Sequence, residues 1–263
     1  MKRFIVGICV LIVVTTAASF GQSKVEDWKG LYVGANVGGA FGGSNARTTT
    51  VFDPAGYFAS SSVSAIAAAG RQDIGLDGFT GGVQLGYNAT MGKTFLVGAE
   101  FDFGGLTLES TKTAGAVYDC CAPASFSVTQ KVGAGWLLTV RPRIGITVRK
   151  ALVYGTGGLA VTNIHDRVLF IDNDTNALEG GGRNENKAGW TVGGGLEYQV
   201  ASHWSVKGEY LFAEFGKVSA TSTNLVTNDG MSSDVAFPQN VFTHSADLHA
   251  NIIRAGINYR FGK

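Results

Sequence analysis

The sequence is short of charge and has no block of basic residues. Charged residues make up 16% of the 263 positions and the formal net charge is +1, whereas an average protein carries about 25% charge. Proteins that bind nucleic acid usually carry a basic patch, so nothing here suggests a nucleic-acid partner. The four histidines are scattered without the spacing of a zinc site. The sequence therefore predicts no metal site and no cofactor.

Proline is also scarce, with 4 residues, while glycine is abundant, with 38. The glycines have no three-residue period, which excludes a collagen-like chain. The 16 Phe, 8 Tyr and 4 Trp residues are too many for a disordered chain, which cannot bury apolar surface. The composition is that of a folded protein of about one domain, and barrels commonly reach this length as one domain.

Only the N-terminus contains a long apolar run. Lys2 and Arg3 precede the apolar run Phe4–Val14, and the small, weakly polar segment Thr15–Gly21 follows. This three-part layout predicts a secretory signal peptide over 1–21, which leaves 22–263 as the exported domain. The run is too short for a membrane-spanning helix, which needs about 20 apolar residues. No other stretch resembles such a helix.

The remaining chain alternates apolar and polar residues with period two, the signature of β-strands. In the first segment Leu31, Val33 and Val37 share one face, and Tyr32 and Asn36 share the other. Eight segments show this alternation: Gly30–Phe41, Phe79–Met91, Phe95–Phe103, Trp136–Val148, Ala151–Thr162, Trp190–Val200, Trp204–Phe212 and Asn251–Phe261.

Short and long connections alternate between these segments. The short ones are Gly92-Lys93, Arg149-Lys150 and Ala201–His203, and the long, polar ones are Gly42–Gly78, Gly104–Gly135, Asn163–Gly189 and Ala213–Ala250. Short turns at one end and long loops at the other are typical of bacterial outer-membrane barrels. The sequence predicts an all-β fold, an eight-stranded antiparallel transmembrane up-and-down barrel with both termini at the periplasmic end. Within the long connections, Phe126–Val132 and Val168–Ile171 are candidates for strand extensions.

A soluble sandwich or a lipocalin-like barrel would alternate in the same way. The polar face here is rich in Gly, Thr, Asn and Gln and carries few charges of both signs, which suits a narrow lumen filled by side chains. Aromatic residues stand near the segment ends, where girdles at the membrane interfaces are expected: Phe41, Phe79, Phe95, Trp136, Trp190, Tyr198, Trp204 and Phe261. Both observations favour the membrane barrel.

Four stretches resemble the family of small Gram-negative outer-membrane β-barrel proteins. These are Trp28–Gly38, Trp136–Gly145, Tyr154–Ala160 and the final strand Gly256–Phe261. Members of this family are porin-like outer-membrane antigens related to the eight-stranded domain of outer-membrane protein A. The resemblance implies location in the outer membrane, contact with its lipid and lipopolysaccharide, recognition by the barrel-assembly machinery through the C-terminal strand, and a ligand at the loops.

Two residues depart from the pattern of this family. Pro142 stands within a predicted strand, where it removes one ladder hydrogen bond. The chain also continues past the aromatic Phe261 to Gly262 and Lys263, whereas assembly signals usually finish on the aromatic residue itself.

Charged residues on the inward face form the principal candidate site. They are four acids and five bases: Glu100, Asp102, Arg141, Arg143, Glu197, Lys207, Glu209, Arg254 and Arg260. Buried charges must be paired because unpaired burial costs several kcal/mol. One interpretation is a selectivity or gating network across a pore. The favoured one is a salt-bridge plug that fixes the strand register.

Three other motifs are weaker. Gly155–Ala160 matches a dinucleotide-binding pattern, but the residues after it do not have the period of a helix, so we interpret the glycines as positions where the barrel wall bends and packs closely. Cys120-Cys121 is either a vicinal disulfide, a metal-reactive pair or a loop feature without function, and the last is favoured. His165-Asp166 with a rim serine would suggest a barrel-type lipid hydrolase.

The sequence thus predicts a non-enzymatic envelope protein with a structural and surface-interaction role, which exposes four long loops. A narrow porin for small solutes is the first alternative, and a lipid-modifying enzyme of the outer membrane is the second.

Overall fold

A computed structural model of the protein describes residues 28–92, 94–227 and 234–261. The predicted signal peptide, 1–21, lies outside the described residues. The elements are β1 Gly30–Thr50, α1 Ser60–Ala69, β2 Arg71–Met91, β3 Phe95–Val117, β4 Ser125–Val148, β5 Ala151–Asp172, β6 Leu178–Gln199, β7 Trp204–Ser222, β8 Val226–Thr227, β9 Val235–Ala236 and β10 Phe242–Phe261. Among these residues no helix is long and apolar enough to cross a membrane.

Eight long antiparallel strands close into a ring. Each of β1 to β7 pairs with its neighbour along the chain, and β10 pairs with both β7 and β1. The two-residue strands β8 and β9 extend β6 at the rim and do not take part in the ring. These pairings confirm the prediction of an eight-stranded up-and-down barrel. The closed sheet has no open edge within the membrane, where unpaired backbone groups would be costly.

The predicted inside and outside faces of the strands are also confirmed. Apolar side chains point outward and are widely exposed, as for Val37 at 66%, Phe79 at 76% and Ile144 at 68% of their surface. Their polar neighbours Asn36 and Thr80 are buried in the lumen. An outward apolar face can be stable only against lipid, so this band defines the membrane-spanning part of the wall.

The predicted long loops are wrong over much of their length, because the strands continue well beyond the apolar band. Gly42–Gly78 contains the end of β1, helix α1 and the start of β2. Gly104–Gly135, Asn163–Gly189 and Ala213–Ala250 likewise consist mostly of strand. The proposed extensions Phe126–Val132 and Val168–Ile171 lie within β4 and β5 and are confirmed.

A reversal of polarity explains this difference. Above the membrane Ala46 points into the lumen and is buried, while Asn45 and Arg47 point outward and are exposed. The same pattern holds for Ile74 and Leu76, which are buried between exposed neighbours. The period of two therefore continues, but the outward face now meets water and the inward face supplies an apolar core.

The upper half of the barrel divides into two walls. Between β2 and β3 the pairing stops at Asp77–Glu109, and between β6 and β7 it stops at Trp190–Glu214. Above these pairs, within the described residues, one wall consists of β7, β10, β1 and β2 and the other of β3, β4, β5 and β6. The two places where pairing stops are called the seams below.

Local irregularities follow from particular residues. Between β4 and β5 the ladder passes from Val140–Leu159 to Arg143–Thr156 without pairing Pro142, as expected from its missing N–H. The register shifts between Ala134 and Leu137, where the side chain of Asn163 accepts hydrogen bonds from the N–H groups of Gly135 and Trp136. Beyond β3, Cys120 and Cys121 are joined by a disulfide, which is one of the alternatives left open by the sequence.

The lumen is filled in layers. An apolar layer of small and aliphatic side chains, among them Leu106, Val132, Leu211 and Ile252, lies above the membrane-level polar residues. Higher still, α1 contributes Ile66 to an aromatic cluster at the extracellular mouth. This cap contains Phe58, Tyr118, Phe126, Phe170 and Phe242, whose rings contact one another in edge-on, tilted or stacked arrangements.

Candidate functional site

The charged side chains of the lumen are brought together by the strand register. Glu100 on β3 lies directly opposite Arg141 on β4, and Glu197 on β6 lies opposite Lys207 on β7. Arg254 on β10 lies opposite Glu209 on β7. Three of the four acids therefore have a base as a cross-strand neighbour, a pairing in which opposite charges stabilise an antiparallel sheet. The fourth, Asp102, lies opposite the neutral residues Gln84 and Thr139.

Arg141 stands at the centre of this site and is fully buried. Its guanidinium lies 2.7 Å from Glu100 Oε1, 2.6 Å from Asp102 Oδ2 and 3.3 Å from Glu209 Oε1. Its Nε donates a further hydrogen bond, 3.0 Å long, to Thr139 Oγ1. One planar fork thus contacts three carboxylates, which an ammonium group could not do with the same directionality.

Two further cations complete the neutralisation of these carboxylates. Arg254 Nη2 lies 2.7 Å from Asp102 Oδ1 and 2.5 Å from Glu209 Oε2. Lys207 Nζ lies 2.9 Å from Glu100 Oε1 and 3.9 Å from Glu209 Oε2. Every carboxylate at the centre of the lumen therefore contacts at least two cations.

Arg143 extends the site toward the periplasmic end. Its Nη1 lies 3.3 Å from Glu197 Oε2 and 3.6 Å from Glu100 Oε2. The guanidinium also lies over the ring of Tyr32, 4.5 Å from the centroid, and 5.2 Å from that of Tyr154. Cation–π contact with two rings adds to the stabilisation of this desolvated cation.

The arrangement is electrically neutral and closed to solvent. The lumen network, as it is called below, comprises Glu100, Asp102, Arg141, Arg143, Glu197, Lys207, Glu209 and Arg254, of which four are acids and four are bases. None of these residues exposes more than 4% of its surface. Eight of the nine predicted residues are thus assembled in one site. The ninth, Arg260, lies instead over the ring of Trp28, at 5.1 Å, because it is at the end of its strand.

Neutral side chains that the sequence-based list omits support the network. Tyr32 donates a 2.7 Å hydrogen bond to Glu100 Oε2, and Tyr154 donates one of 2.8 Å to Glu209 Oε1. Asn258 donates to Glu197 Oε1 at 2.8 Å, and Asn88 accepts from Arg143 Nε at 2.9 Å. All four lie on the predicted inward face, and that position was the only signal in the sequence that could have found them.

A second polar cluster lies above the apolar layer, outside the membrane. His244 is its centre: Nδ1 lies 3.1 Å from Thr48 Oγ1, and Nε2 lies 2.9 Å from Ser222 Oγ and 3.2 Å from Glu179 Oε1. The neighbouring Asp166 is buried. Burial raises the pKa of Asp166 to about 6, although His244 nearby opposes the shift.

This cluster differs from a hydrolase triad. A triad places the carboxylate on the histidine nitrogen opposite the serine, whereas Glu179 and Ser222 share Nε2 and a threonine hydroxyl occupies Nδ1. The predicted His165-Asp166 pair does not form either. His165 points outward and contacts Asn163 and Asn184, while Asp166 points into the lumen. Within the described residues no group of three or more acids, histidines or cysteines could hold a metal ion.

The cap at the mouth is fastened by Asp172. Its Oδ2 accepts hydrogen bonds from the hydroxyls of Tyr57, at 2.9 Å, and Tyr118, at 2.8 Å, and its Oδ1 accepts from the N–H groups of Asp174 and Thr175. Burial alone would raise the pKa of Asp172, but these hydrogen bonds hold it below its usual value. The carboxylate thereby ties the segment before α1 to the ends of β3 and β5.

The chain matches a family of outer-membrane proteins and is similar to two outer-membrane proteins of known name. Residues 9–261 match the family described as outer membrane protein beta-barrel domain. The 31 kDa outer-membrane immunogenic protein of Brucella melitensis is 33% identical over 235 residues, which cover 89% of this chain and 84% of that protein. The 22 kDa outer membrane protein of Rhizobium leguminosarum is 29% identical over 147 residues, or 54% of this chain and 57% of that protein.

Two solved structures of outer-membrane proteins are similar to this chain. The outer membrane protease OmpT of Escherichia coli is 10% identical, with 90% of this chain and all of that chain covered and a TM-score of 0.45. The outer membrane protein OprG of Pseudomonas aeruginosa is 10% identical, with 90% and 99% covered and a TM-score of 0.41.

We expect Arg141→Ala to lower the free energy of unfolding by about 3–5 kcal/mol, since it leaves three buried carboxylates with one cation fewer. Adding Asp102→Asn should recover part of this loss, because the network is then neutral again. Urea titrations in lipid vesicles measure both changes, and a double-mutant cycle gives the coupling. The control Arg183→Ala removes a half-exposed arginine that pairs with Glu185 at 2.9 Å, and it should cost less than about 1 kcal/mol. An Arg141→Ala loss no larger than the control's would contradict the assignment.

A second expectation follows from the raised pKa of Asp166. Its folded-state value of about 6 lies above the ordinary value of 3.8, so the folded protein binds the proton more tightly and loses stability as the pH rises from about 4 to about 6. Asp166→Asn, which mimics the protonated acid, should remove up to about 3 kcal/mol of this pH-dependent loss. The free energy of unfolding is measured at several pH values between 4 and 7. The control Asp77→Asn removes a carboxylate from the outer wall and should leave the pH dependence between pH 4 and pH 6 unchanged. Identical pH dependence in wild type and Asp166→Asn would refute the expectation.

Proposed function

Because the chain belongs to the outer membrane protein beta-barrel domain family and resides in the outer membrane of a Gram-negative cell, we propose that it is a non-conducting structural barrel. In this proposal the membrane-level lumen is a salt-bridge plug, and the extended upper half presents a surface to the exterior. The single observation that carries the proposal is the complete burial of the neutral lumen network.

The network supports closure by its geometry. Arg141 contacts carboxylates contributed by β3 and β7, on opposite sides of the ring, at 2.6 to 3.3 Å. A hydrated ion would have to displace these contacts, and breaking a buried pair costs several kcal/mol. A selectivity filter, by contrast, keeps its charges exposed to water so that ions can enter and leave.

Two further layers of side chains would oppose the passage of ions through the lumen even if the lumen network opened. The apolar layer above it contains Leu106, Leu211 and Ile252, each fully buried. Above that, Phe126, Phe170 and Phe242 of the cap are buried at 1% exposure or less. An apolar constriction excludes hydrated ions because no side chain replaces the lost water.

The extracellular rim supports a surface-interaction role. Outside the membrane band, several apolar side chains are about half exposed to water: Val51, Phe52, Val117, Leu178 and Val235. Apolar groups exposed at one end of a molecule favour contact with another surface. A structural barrel that presents this rim accounts for both the closed interior and the extended walls.

The proposal predicts no current. Refolded protein in planar bilayers should give no conductance steps beyond those of lipid alone, while a general porin measured in parallel gives large steps. Replacing 54–69, which includes α1, with a short Gly-Ser linker should leave the protein closed, because the lumen network lies below the cap and does not depend on it. Stable steps in the wild-type protein, with a reversal potential that moves on Glu100→Gln, would instead establish the narrow porin.

A further inference from the structure

The seam between β6 and β7 opens into a cleft that reaches the cluster around His244. The cleft has a volume of about 670 Å³, which is within the range of about 300–1,000 Å³ that is usual for sites of small ligands. Its mouth is lined by Lys131 and Arg167, which point outward, and its inner end by Asp166 and Ser222, which face the lumen. It is called the seam cleft below.

Three consecutive glycines of β6 line the seam cleft, namely Gly180, Gly181 and Gly182. A Cβ atom at Gly181 would overlap the ring of His244, and one at Gly182 would overlap the carbonyl group of Asp166. Gly182 also has a φ of +146°, a conformation that residues with a side chain rarely adopt. At Gly180, by contrast, a Cβ atom would have no other heavy atom within 4 Å. The wall therefore carries no side chains where the cleft crosses it.

The inner end of the seam cleft carries a buried negative charge. Asp166 exposes 2% of its surface, and its Oδ1 atom has no hydrogen-bond partner among the described residues. Arg183 lies opposite Asp166 on β6, but its guanidinium pairs with Glu185 at 2.9 Å. Glu179 adds a second buried carboxylate beside His244, and its Oε2 atom likewise has no partner in the described part of the chain. Since a buried anion is costly unless a donor neutralises it, the inner end favours a cation.

The mouth of the seam cleft carries the opposite charge. Arg167 follows Asp166 along β5 and points outward, directly opposite Lys131 on β4. Like charges that face each other across a strand pair destabilise a sheet. Glu109 contacts Lys131 at 2.7 Å, whereas no carboxylate in the residues that the structure describes forms an ion pair with Arg167. The mouth therefore favours an anion.

The separation of these two charges sets the length of a ligand that contacts both. Asp166 and Arg167 project from opposite faces of one sheet. Since stacked sheets lie about 10 Å apart, each face extends about 5 Å from the backbone, and charged groups on the two faces are roughly 10 Å apart. An extended peptide spans about 3.4 Å per residue, so three residues cover this distance.

The geometry points to a binding site for a short linear peptide with free ends, about three residues long, in the seam cleft. Its N-terminal ammonium group binds Asp166 and its C-terminal carboxylate binds Arg167, both through charge-assisted hydrogen bonds. The hydroxyls of Thr129 and Thr221 and the amide of Asn184 line the rest of the cleft, where they hydrogen-bond to the peptide groups. A simple cation is repelled at the mouth and a simple anion at the inner end, so the cleft selects a molecule that carries both charges. The site is independent of whether the lumen conducts.

The test pairs each charged side chain with the end of the peptide that it binds. Dissociation constants of trialanine, N-acetyltrialanine and trialanine amide are measured by isothermal titration calorimetry for the refolded full-length protein, for Asp166→Asn and for Arg167→Gln. We expect acetylation to weaken binding to the wild type about tenfold and to have no effect on binding to Asp166→Asn. Amidation should weaken binding to the wild type by a similar factor but leave binding to Arg167→Gln unchanged. Folding of each variant is checked by circular dichroism and by its resistance to proteolysis.

A second pair of variants tests the location of the site. Gly180→Phe places a ring in the seam cleft and should weaken trialanine binding by at least about tenfold, since the ring occupies the space of the peptide. The matched control Gly75→Phe alters an equally open, exposed glycine on β2 in the other wall and should leave binding unchanged.

Three results would overturn the proposal. The first is the absence of saturable trialanine binding to the wild type at low millimolar concentration, or equal losses in Gly180→Phe and Gly75→Phe, because the cleft would then not be the site. The second is an equal effect of acetylation on the wild type and Asp166→Asn, or of amidation on the wild type and Arg167→Gln, because these side chains would then not bind the ends of the peptide. The third is an equal affinity for free alanine, which is too short to reach both charges.

Discussion

The structure depends on the cost of placing charge inside a narrow barrel. Eight strands enclose a lumen only wide enough for side chains, so each ion there loses its water and must be neutralised by protein groups. The lumen network meets this requirement with equal numbers of acids and bases, and Arg141 joins β4 to carboxylates on β3 and β7. A shift of one residue in any strand would turn its charges toward lipid. The same contacts that close the lumen therefore fix the register of the wall.

The membrane surface imposes the second constraint, which is the reversal of polarity along each strand. Below the girdle, apolar residues such as Val37 face lipid and polar residues such as Asn36 face the lumen; above it Ala46 and Leu76 face inward and Arg47 faces water. The upper half thus has an apolar core like that of a water-soluble sandwich, in two walls separated by seams. This explains how strands of about 20 residues continue as regular structure outside the bilayer.

The membrane-spanning fold and most of the lumen network could be predicted from the sequence. Alternation with period two places Glu100 and Arg141 on the inward faces of β3 and β4, and the pairing of these neighbouring strands brings the two side chains together. Arg260 is buried on the predicted inward face but lies over Trp28 at the end of its strand, because alternation gives the face of a residue and not its height in the barrel. The predicted loops were too long because only segments whose apolar residues face outward were interpreted as strands. The cluster around His244 was missed for the same reason: Asp166, Glu179 and Ser222 lie in those extensions, far apart in sequence, and no local motif joins them.

The central claim is that the lumen is closed at the level of the network and the apolar layer. Ala160 is fully buried opposite Thr139, where these two layers meet. Ala160→Cys, placed in a protein with Cys120 and Cys121 replaced by serine, can be treated with a small charged thiol reagent in lipid vesicles, with the exposed Thr49→Cys as the reactive reference. The account predicts that Cys at 160 stays unlabelled for as long as the barrel is folded, while Cys at 49 reacts fully. Labelling of both positions at comparable rates would show a hydrated lumen and contradict the account.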